Sequence, residues 1–232
     1  MRFEKIQAVA FDAVGTLIEP WPPVAQAYRM AAAEQGVDLP DDIIRQRFGK
    51  AFSHDETSGG HRTNEALERV RWRRIVGECL PELTKSQADT AFDRLWNHFA
   101  DSANWRLFED AAHVVTRLSN EGLVLCVASN FDSRLRQVWA GLTAPEFPLK
   151  SLVISSEVGA RKPGMEFYEA VLSGLGHSAS STLFVGDDLV NDFRVPLELG
   201  FEAVLIDRRG RYGESRGVSK LTDLLTMFDR AL

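Results

Sequence analysis

Four groups of polar residues in this chain have the types and spacing to do chemistry on an anion: Asp12, the pair Ser129-Asn130, Lys162, and the acidic set Asp187, Asp188 and Asp192. A carboxylate can act as a nucleophile or a hard-metal ligand. A hydroxyl beside an amide can hold oxyanions, and a lysine can neutralise charge that builds up during transfer. Gathered in one crevice, this set suits chemistry on an anionic substrate with a divalent ion.

Most of these residues close short apolar runs. Residues 6–11 (IQAVAF) end at Asp12, 123–128 (LVLCVA) at Ser129-Asn130, and 183–185 at Gly186-Asp187-Asp188; 152–154 and 203–206 end likewise at Ser155-Ser156 and Asp207. Runs that are apolar without alternation are expected of parallel strands covered on both faces. Helix-like stretches lie between them: 111–120 places Val114, Val115 and Leu118 on one side, 165–175 groups Phe167, Val171 and Leu175, and 193–199 follows Asp192. The alternation predicts an α/β fold, a doubly wound parallel sheet, whose ligands bind beyond the carboxyl ends of the strands.

Residues 18–108 break that rhythm. They contain no convincing strand and four helix-like segments, 24–35, 41–52, 64–79 and 86–100. The expected organisation is therefore a core of residues 1–17 plus 107–232 with an inserted all-α lobe over 18–106. A polar stretch, 53–64 (SHDETSGGHRTN), divides the lobe, and Trp21 among Pro20, Pro22 and Pro23 is expected to form a rigid hinge into it. Ser129-Asn130 could also cap a helix, and Pro163 could open one.

Composition narrows the classes further. The 232 residues carry 27 Lys+Arg against 33 Asp+Glu, a net charge of −6, with 44% hydrophobic and 26% charged residues, as in an ordinary globular protein. Nucleic acid is not the expected partner, since its binders usually carry a basic stripe. The run Arg69–Arg74 (RVRWRR) reads instead as a solvated helix face with Trp72 turned inward. Cys79 and Cys126 read as reduced structural thiols, and the five histidines lack the spacing of a zinc site. The N-terminal apolar stretch is too short for a signal peptide and no run reaches the ~18 apolar residues of a membrane span, so a cytoplasmic location without membrane contact is expected.

In order and context, the polar groups resemble the motifs of the haloacid dehalogenase superfamily of hydrolases. Its first motif is matched by Asp12-Ala13-Val14-Gly15-Thr16-Leu17, its second by Ser129-Asn130, its third by Lys162-Pro163, and its fourth by Gly186-Asp187-Asp188 with Asn191-Asp192. The helical insert sits where the family carries a helical cap domain. The resemblance implies that Asp12 attacks phosphorus to form an aspartyl-phosphate. It also implies Mg²⁺ held by Asp12, the backbone carbonyl of Val14 and Asp187. Lys162 would neutralise the nucleophile and the transferring group. Ser129 and the backbone N–H groups after Asp12 would hold phosphate oxygens, with Thr16 and Asn130 also at the substrate. Asp192 would orient Lys162 or a metal-bound water, with Asp188 behind the metal. The implied partner is a small phosphorylated metabolite, the chain acting as a monomer or homodimer.

One position departs from the pattern. Family phosphatases usually carry a second Asp two residues after the nucleophile as general acid and base; here it is Val14, which cannot transfer a proton. Loss of a general acid typically costs about 10²–10⁴-fold in rate. An intact metal site with weak activity on alkyl phosphates is therefore expected, while aryl and acyl phosphates, with better leaving groups, suffer less. The 2-haloacid dehalogenases are similar around Asp12 but place Tyr at the position of Val14 and need no metal. The acidic Gly186-Asp187-Asp188 argues against that alternative, because carboxylates without a cation repel one another. Phosphonoacetaldehyde hydrolases use a cap lysine, and the insert offers only Lys50 and Lys85. The segment Ser129-Asn130-Phe131-Asp132-Ser133-Arg134-Leu135 looks most like the branch around haloacid dehalogenase-like domain-containing protein 3. The remaining alternative is an attenuated protein that binds a phosphorylated ligand or partner.

Overall fold

The structure, a computed structural model, describes residues 5–58, 60–144, 147–212 and 217–229, without the side chains of 55–58 and 229. Strand β1 (Ala8–Phe11) opens the sheet. β2 (Ile18–Pro20) and β3 (Trp105–Leu107) pair with each other as an antiparallel ribbon. β4 (Val124–Ser129), β5 (Ser151–Ile154), β6 (Thr182–Gly186) and β7 (Glu202–Leu205) join β1 in a parallel sheet of order β5-β4-β1-β6-β7. The apolar runs thus become parallel strands, with ends shifted by a residue or two.

The strands bury both faces. Val9, Phe11, Leu125, Val127, Leu183 and Val185 pack on one side against α5 (Ala111–Asn120), α6 (Arg134–Leu142) and α10 (Thr222–Asp229). The small residues Ala8, Ala10, Cys126 and Ala128 face the other way, under the bulky Phe167, Tyr168 and Val171 of α8 (Met165–Leu175). Small strand residues let an aromatic helix face lie close to the sheet. Helix α8 stops at Gly176, whose φ of +76° suits the left-handed cap that returns its N–H to the Leu172 carbonyl.

Between β2 and β3 lie α1 (Val24–Ala33), α2 (Asp41–Ser58), α3 (Glu65–Cys79) and α4 (Lys85–His98), packed around Tyr28, Ile44, Ile75, Phe92 and Leu95. Asn64 caps α3, accepting the Leu67 N–H, and Thr84 with Gln87 forms a capping box on α4. Two expectations are corrected here. Residues 18–108 do contain strands, because three-residue strands beside Pro20 are too short to show a period. The helix expected over 41–52 runs on to Ser58, into the polar stretch 53–64, since the first residues of that stretch continue the helix that Asp41 and Asp42 start. The Arg69–Arg74 run is only partly solvated: Arg69 and Arg73 pair with Asp93 and Asp89, while the Arg71 side chain is 10% exposed and pairs with buried Glu68.

The helical lobe is pinned over the carboxyl ends of the strands. The Glu65 carboxylate accepts from the Ser133 N–H and hydroxyl and from the Ser156 hydroxyl at 2.5–2.9 Å. Arg134 forks the Asp132 carboxylate at 2.7 and 2.6 Å, donates to the Trp96 carbonyl at 3.0 Å, and lies 3.5 Å from the Trp96 ring centroid. Among the described residues no helix is long and apolar enough to cross a membrane.

Candidate active site

Strand register brings the motif residues together. Phe11 pairs with Val127 on one side and Val185 on the other, so Asp12 leaves β1 level with Ala128 and Gly186. The Asp12 N–H still donates to Val185, and the chain then folds back on itself: Leu17 and Ile18 both donate to the Ala13 carbonyl at 2.9 Å. This turn needs Gly15 for two reasons. Its φ is +92°, and a Cβ there would sit on the Asp187 carboxylate. Gly186 has a similar role, since a Cβ there would collide with Asp192. Gly15→Ala is therefore expected to lower stability by about 1–3 kcal/mol and to displace Asp187. Chemical denaturation checks the first effect and magnesium titration the second.

Lys162 sits at the centre, 3% exposed, and all three of its ammonium protons are placed. Its Nζ donates to Asp12 Oδ1 at 2.9 Å, Asp192 Oδ1 at 2.7 Å and the Ala128 carbonyl at 3.0 Å. Asn130 holds the Lys162 backbone from both ends: its Oδ1 accepts the Lys162 N–H at 2.8 Å and its Nδ2 donates to the Lys162 carbonyl at 3.0 Å. Its amide is thus a positioning group for Lys162. Neither it nor Ser129 caps a helix, for α6 starts at Arg134, and α8 starts at Met165 rather than at Pro163.

Asp12, Asp187 and Asp192 each offer a carboxylate oxygen within 4.8 Å of the others. Burial, followed by the charges of Asp192 and Asp188, pushes the Asp187 carboxyl up to about 6. Burial raises Asp192 to about 7 against the pull of Lys162, and raises Asp12 in the same direction. Burial alone would lower the Lys162 ammonium, but Asp12 and Asp192 outweigh it and raise it above the ordinary lysine value. Asp192 also accepts the Asp188 N–H at 3.0 Å, which ties Lys162 to the turn after β6. The Asp188 carboxylate caps the turn Leu189–Arg194, accepting from Val190 and Asn191 at 2.9 and 2.7 Å; the backbone N–H of Asp188, not its side chain, faces the cluster.

The Ser129 hydroxyl, buried at the end of β4, hydrogen-bonds to no described residue. Thr16 Oγ1 lies 3.4 Å from Asp12 Oδ2, a long contact that leaves this oxygen weakly engaged. Arg211 was not expected at the site. Its guanidinium donates to both the carbonyl and Oδ2 of Asp187 at 2.8 Å, after Asp207 has capped the turn with the Arg211 and Tyr212 N–H groups. The only signal was the basic turn Arg208-Arg209-Gly210-Arg211 after the last strand.

A model of the haloacid dehalogenase-like hydrolases matches residues 6–195. The chain belongs to this family. Haloacid dehalogenase-like hydrolase domain-containing protein 3 of Mus musculus is 26% identical over 208 residues, covering 87% of this chain and 82% of the relative. Ribulose-1,5-bisphosphate 5-phosphatase of Halopiger xanaduensis is 24% identical over 206 residues, covering 86% and 84%. Among solved structures, the HAD-hydrolase YfnB of Bacillus subtilis, bound to magnesium, superposes with a TM-score of 0.73 at 18% identity, covering 97% of this hydrolase and 99% of that chain. The resemblance read from the motifs, including its branch, is thus met.

Proposed function

We propose that this hydrolase is a magnesium-dependent phosphatase of small phosphorylated molecules, acting through Asp12 and weakened in acid catalysis by Val14. The observation that carries the reading is the convergence of Asp12, Lys162, Asp187 and Asp192, from the ends of β1 and β6 and the loop before α8, on one point where all but Asp187 are buried. A relative named as a phosphatase and a structural neighbour solved with magnesium support it.

The donor set fits a hard cation. Two carboxylates, Asp12 and Asp187, with the Val14 carbonyl would hold Mg²⁺, whose preference is for carboxylate oxygens completed by water. Of the two Asp187 carboxylate oxygens Arg211 engages Oδ2, which leaves Oδ1 for the ion. When bound, the ion neutralises charge on the nucleophile and the phosphate. The chain's residues do the rest. Asp12 attacks phosphorus, the ester P–O bond breaks, and water then cleaves the aspartyl-phosphate to restore Asp12. Lys162 compensates the charge of the attacking carboxylate, and the Ser129 hydroxyl donates to a phosphate oxygen. The departing oxygen finds no proton at Val14, so it must leave as an anion or take its proton from water.

Release of phosphate from an aryl phosphate that depends on Mg²⁺ tests the reading, and metal-independent background alone would overturn it. Val14→Asp is expected to raise turnover of alkyl phosphates by up to about 10²-fold, with smaller gains for aryl phosphates. No gain with the metal still bound would remove the missing acid as the cause. The second reading, an attenuated ligand-binding protein, is favoured by Val14 and predicts binding of the same ligands without turnover.

Magnesium should also stabilise the fold in a pH-dependent way. Asp187 and Asp192 keep their protons to higher pH when folded than when unfolded, so without metal their contribution to stability declines as pH rises from about 4 to 7. Metal needs the ionised carboxylates, and its affinity should fall about tenfold per pH unit below about 6. The rise in Tm with saturating magnesium is thus expected to be larger at about pH 8 than at about pH 5.5 in a thermal melt.

A further inference from the structure

The crevice between lobe and sheet has a wall chemistry of its own. A cavity of about 200 Å³ opens there, lined by Val14 and Phe131 on the sheet side and by Tyr28, Phe52, Phe92 and Trp96 from the lobe. Val14, two residues from Asp12, and Asn130, which grips the Lys162 backbone, both line it, so the cavity abuts the acidic cluster. Its only guanidinium, that of Arg134, is committed to the Asp132 carboxylate, the Trp96 carbonyl and the Trp96 ring. No charged side chain is therefore left on the wall to receive sugar hydroxyls or a second anionic group. Tyr28 is 1% exposed and its hydroxyl hydrogen-bonds to no described residue.

We infer that the group carried on the phosphate is an apolar ring system bonded directly to the ester oxygen, an aryl phosphate monoester, rather than a sugar or a small hydroxy acid. The inference rests on the phosphatase reading and names the substrate class of that site. An apolar cavity of about 150 Å³ is enough to bind benzene, so this one has room for one or two fused rings. Several polar hydroxyls moved into it would lose their water with only the Tyr28 hydroxyl to replace it. The same reasoning accounts for Val14: a second carboxylate there would stand desolvated against an aromatic wall, and a phenolic leaving group has the least need of one. Phosphate transfer to Asp12 expels the aryl oxide, which takes a proton from water, and hydrolysis of the aspartyl-phosphate consumes one water and releases phosphate.

The test separates ring recognition from leaving-group reactivity by using phosphonates, whose C–P bond is not cleaved. Binding of 1-naphthylmethylphosphonate and of 2,3-dihydroxypropylphosphonate to the magnesium-loaded protein is measured by calorimetry. The naphthyl compound is expected to bind about 10²-fold more tightly, the scale of burying two rings in an apolar site. Trp72→Gln, at a half-buried point of the cavity wall, should weaken the naphthyl compound about tenfold and leave the dihydroxypropyl compound unchanged. Equal affinities, or a tighter polar ligand, would overturn the inference while magnesium-dependent turnover still upheld the phosphatase reading. Tight naphthyl binding without turnover of any phosphate would instead keep the ligand class and overturn hydrolysis. The wild-type comparison stands whether or not the variant folds.

Discussion

Asp12→Asn is expected to reduce magnesium-dependent hydrolysis of an aryl phosphate by at least about 10⁴-fold, to background. The amide cannot attack phosphorus, and removal of a covalent nucleophile is among the largest single losses in enzyme kinetics. The variant should nevertheless fold, because Asn is nearly isosteric and its oxygen can still accept from Lys162 Nζ, now 2.9 Å from Asp12 Oδ1. Its binding of aryl phosphonates should survive, since the cavity wall is untouched. Steady-state phosphate release, measured beside a folding check by circular dichroism, decides the matter. Equal rates in wild type and variant would show that turnover came from elsewhere, and would remove Asp12 from the reaction.

Lys162→Ala should harm stability as well as activity. Its ammonium is the cation shared by two buried carboxylates, Asp12 and Asp192, with side-chain exposures of 10% and 1%. Breaking a buried ion pair by removing one partner usually costs about 3–5 kcal/mol, because a charge is left without compensation. The loss should depend on pH with a definite sign. Asp12 and Asp192 already hold their protons to higher pH in the folded state, chiefly by burial; Lys162 pulls both back down, and a smaller rise comes from Asp187 at Asp12 and from Asp12 at Asp192. Without it, both rise further above their unfolded value. The folded variant then binds more protons than the unfolded chain, and its stability falls as pH rises through the window above about 4. Denaturation midpoints should show the variant closest to wild type in mild acid and furthest from it above neutrality. A constant difference across pH would mean that Lys162 contributes packing rather than charge. Hydrolysis should fall by about 10³-fold or more at any pH, as expected when the charge on a transferring phosphoryl group is left without its clamp.

Much of the site could be read before any coordinates. Asp12, Ser129 and Asp187 each follow an apolar run, and a parallel sheet places strand ends on one edge, so their convergence follows from topology alone. Lys162 was legible only through its motif, because it lies eight residues past β5 on an irregular loop. Its partners were half legible: Asp192 was expected to orient it, whereas the two-ended grip of Asn130 on its backbone depends on a loop path that no periodicity encodes. Asp188 shows the limit in the other direction. Two adjacent acids look alike in sequence, and only the turn after β6 decides that one faces the cluster and the other caps the turn. Arg211 lay beyond reach, since a basic turn 24 residues after Asp187 gives no sign of which carboxylate it meets.

By itself the sequence determined the strand–helix alternation, the position of the helical insert, and the placing of Asp12 at a strand end with Val14 two residues on, because these depend on residue type and local periodicity. The tertiary structure alone decided which carboxylates share Lys162, how Glu65 and Arg134 pin the lobe, and that an aromatic cavity begins at Val14. Those features arise where side chains from distant segments meet, and their energies depend on burial, distance and charge that no single segment specifies.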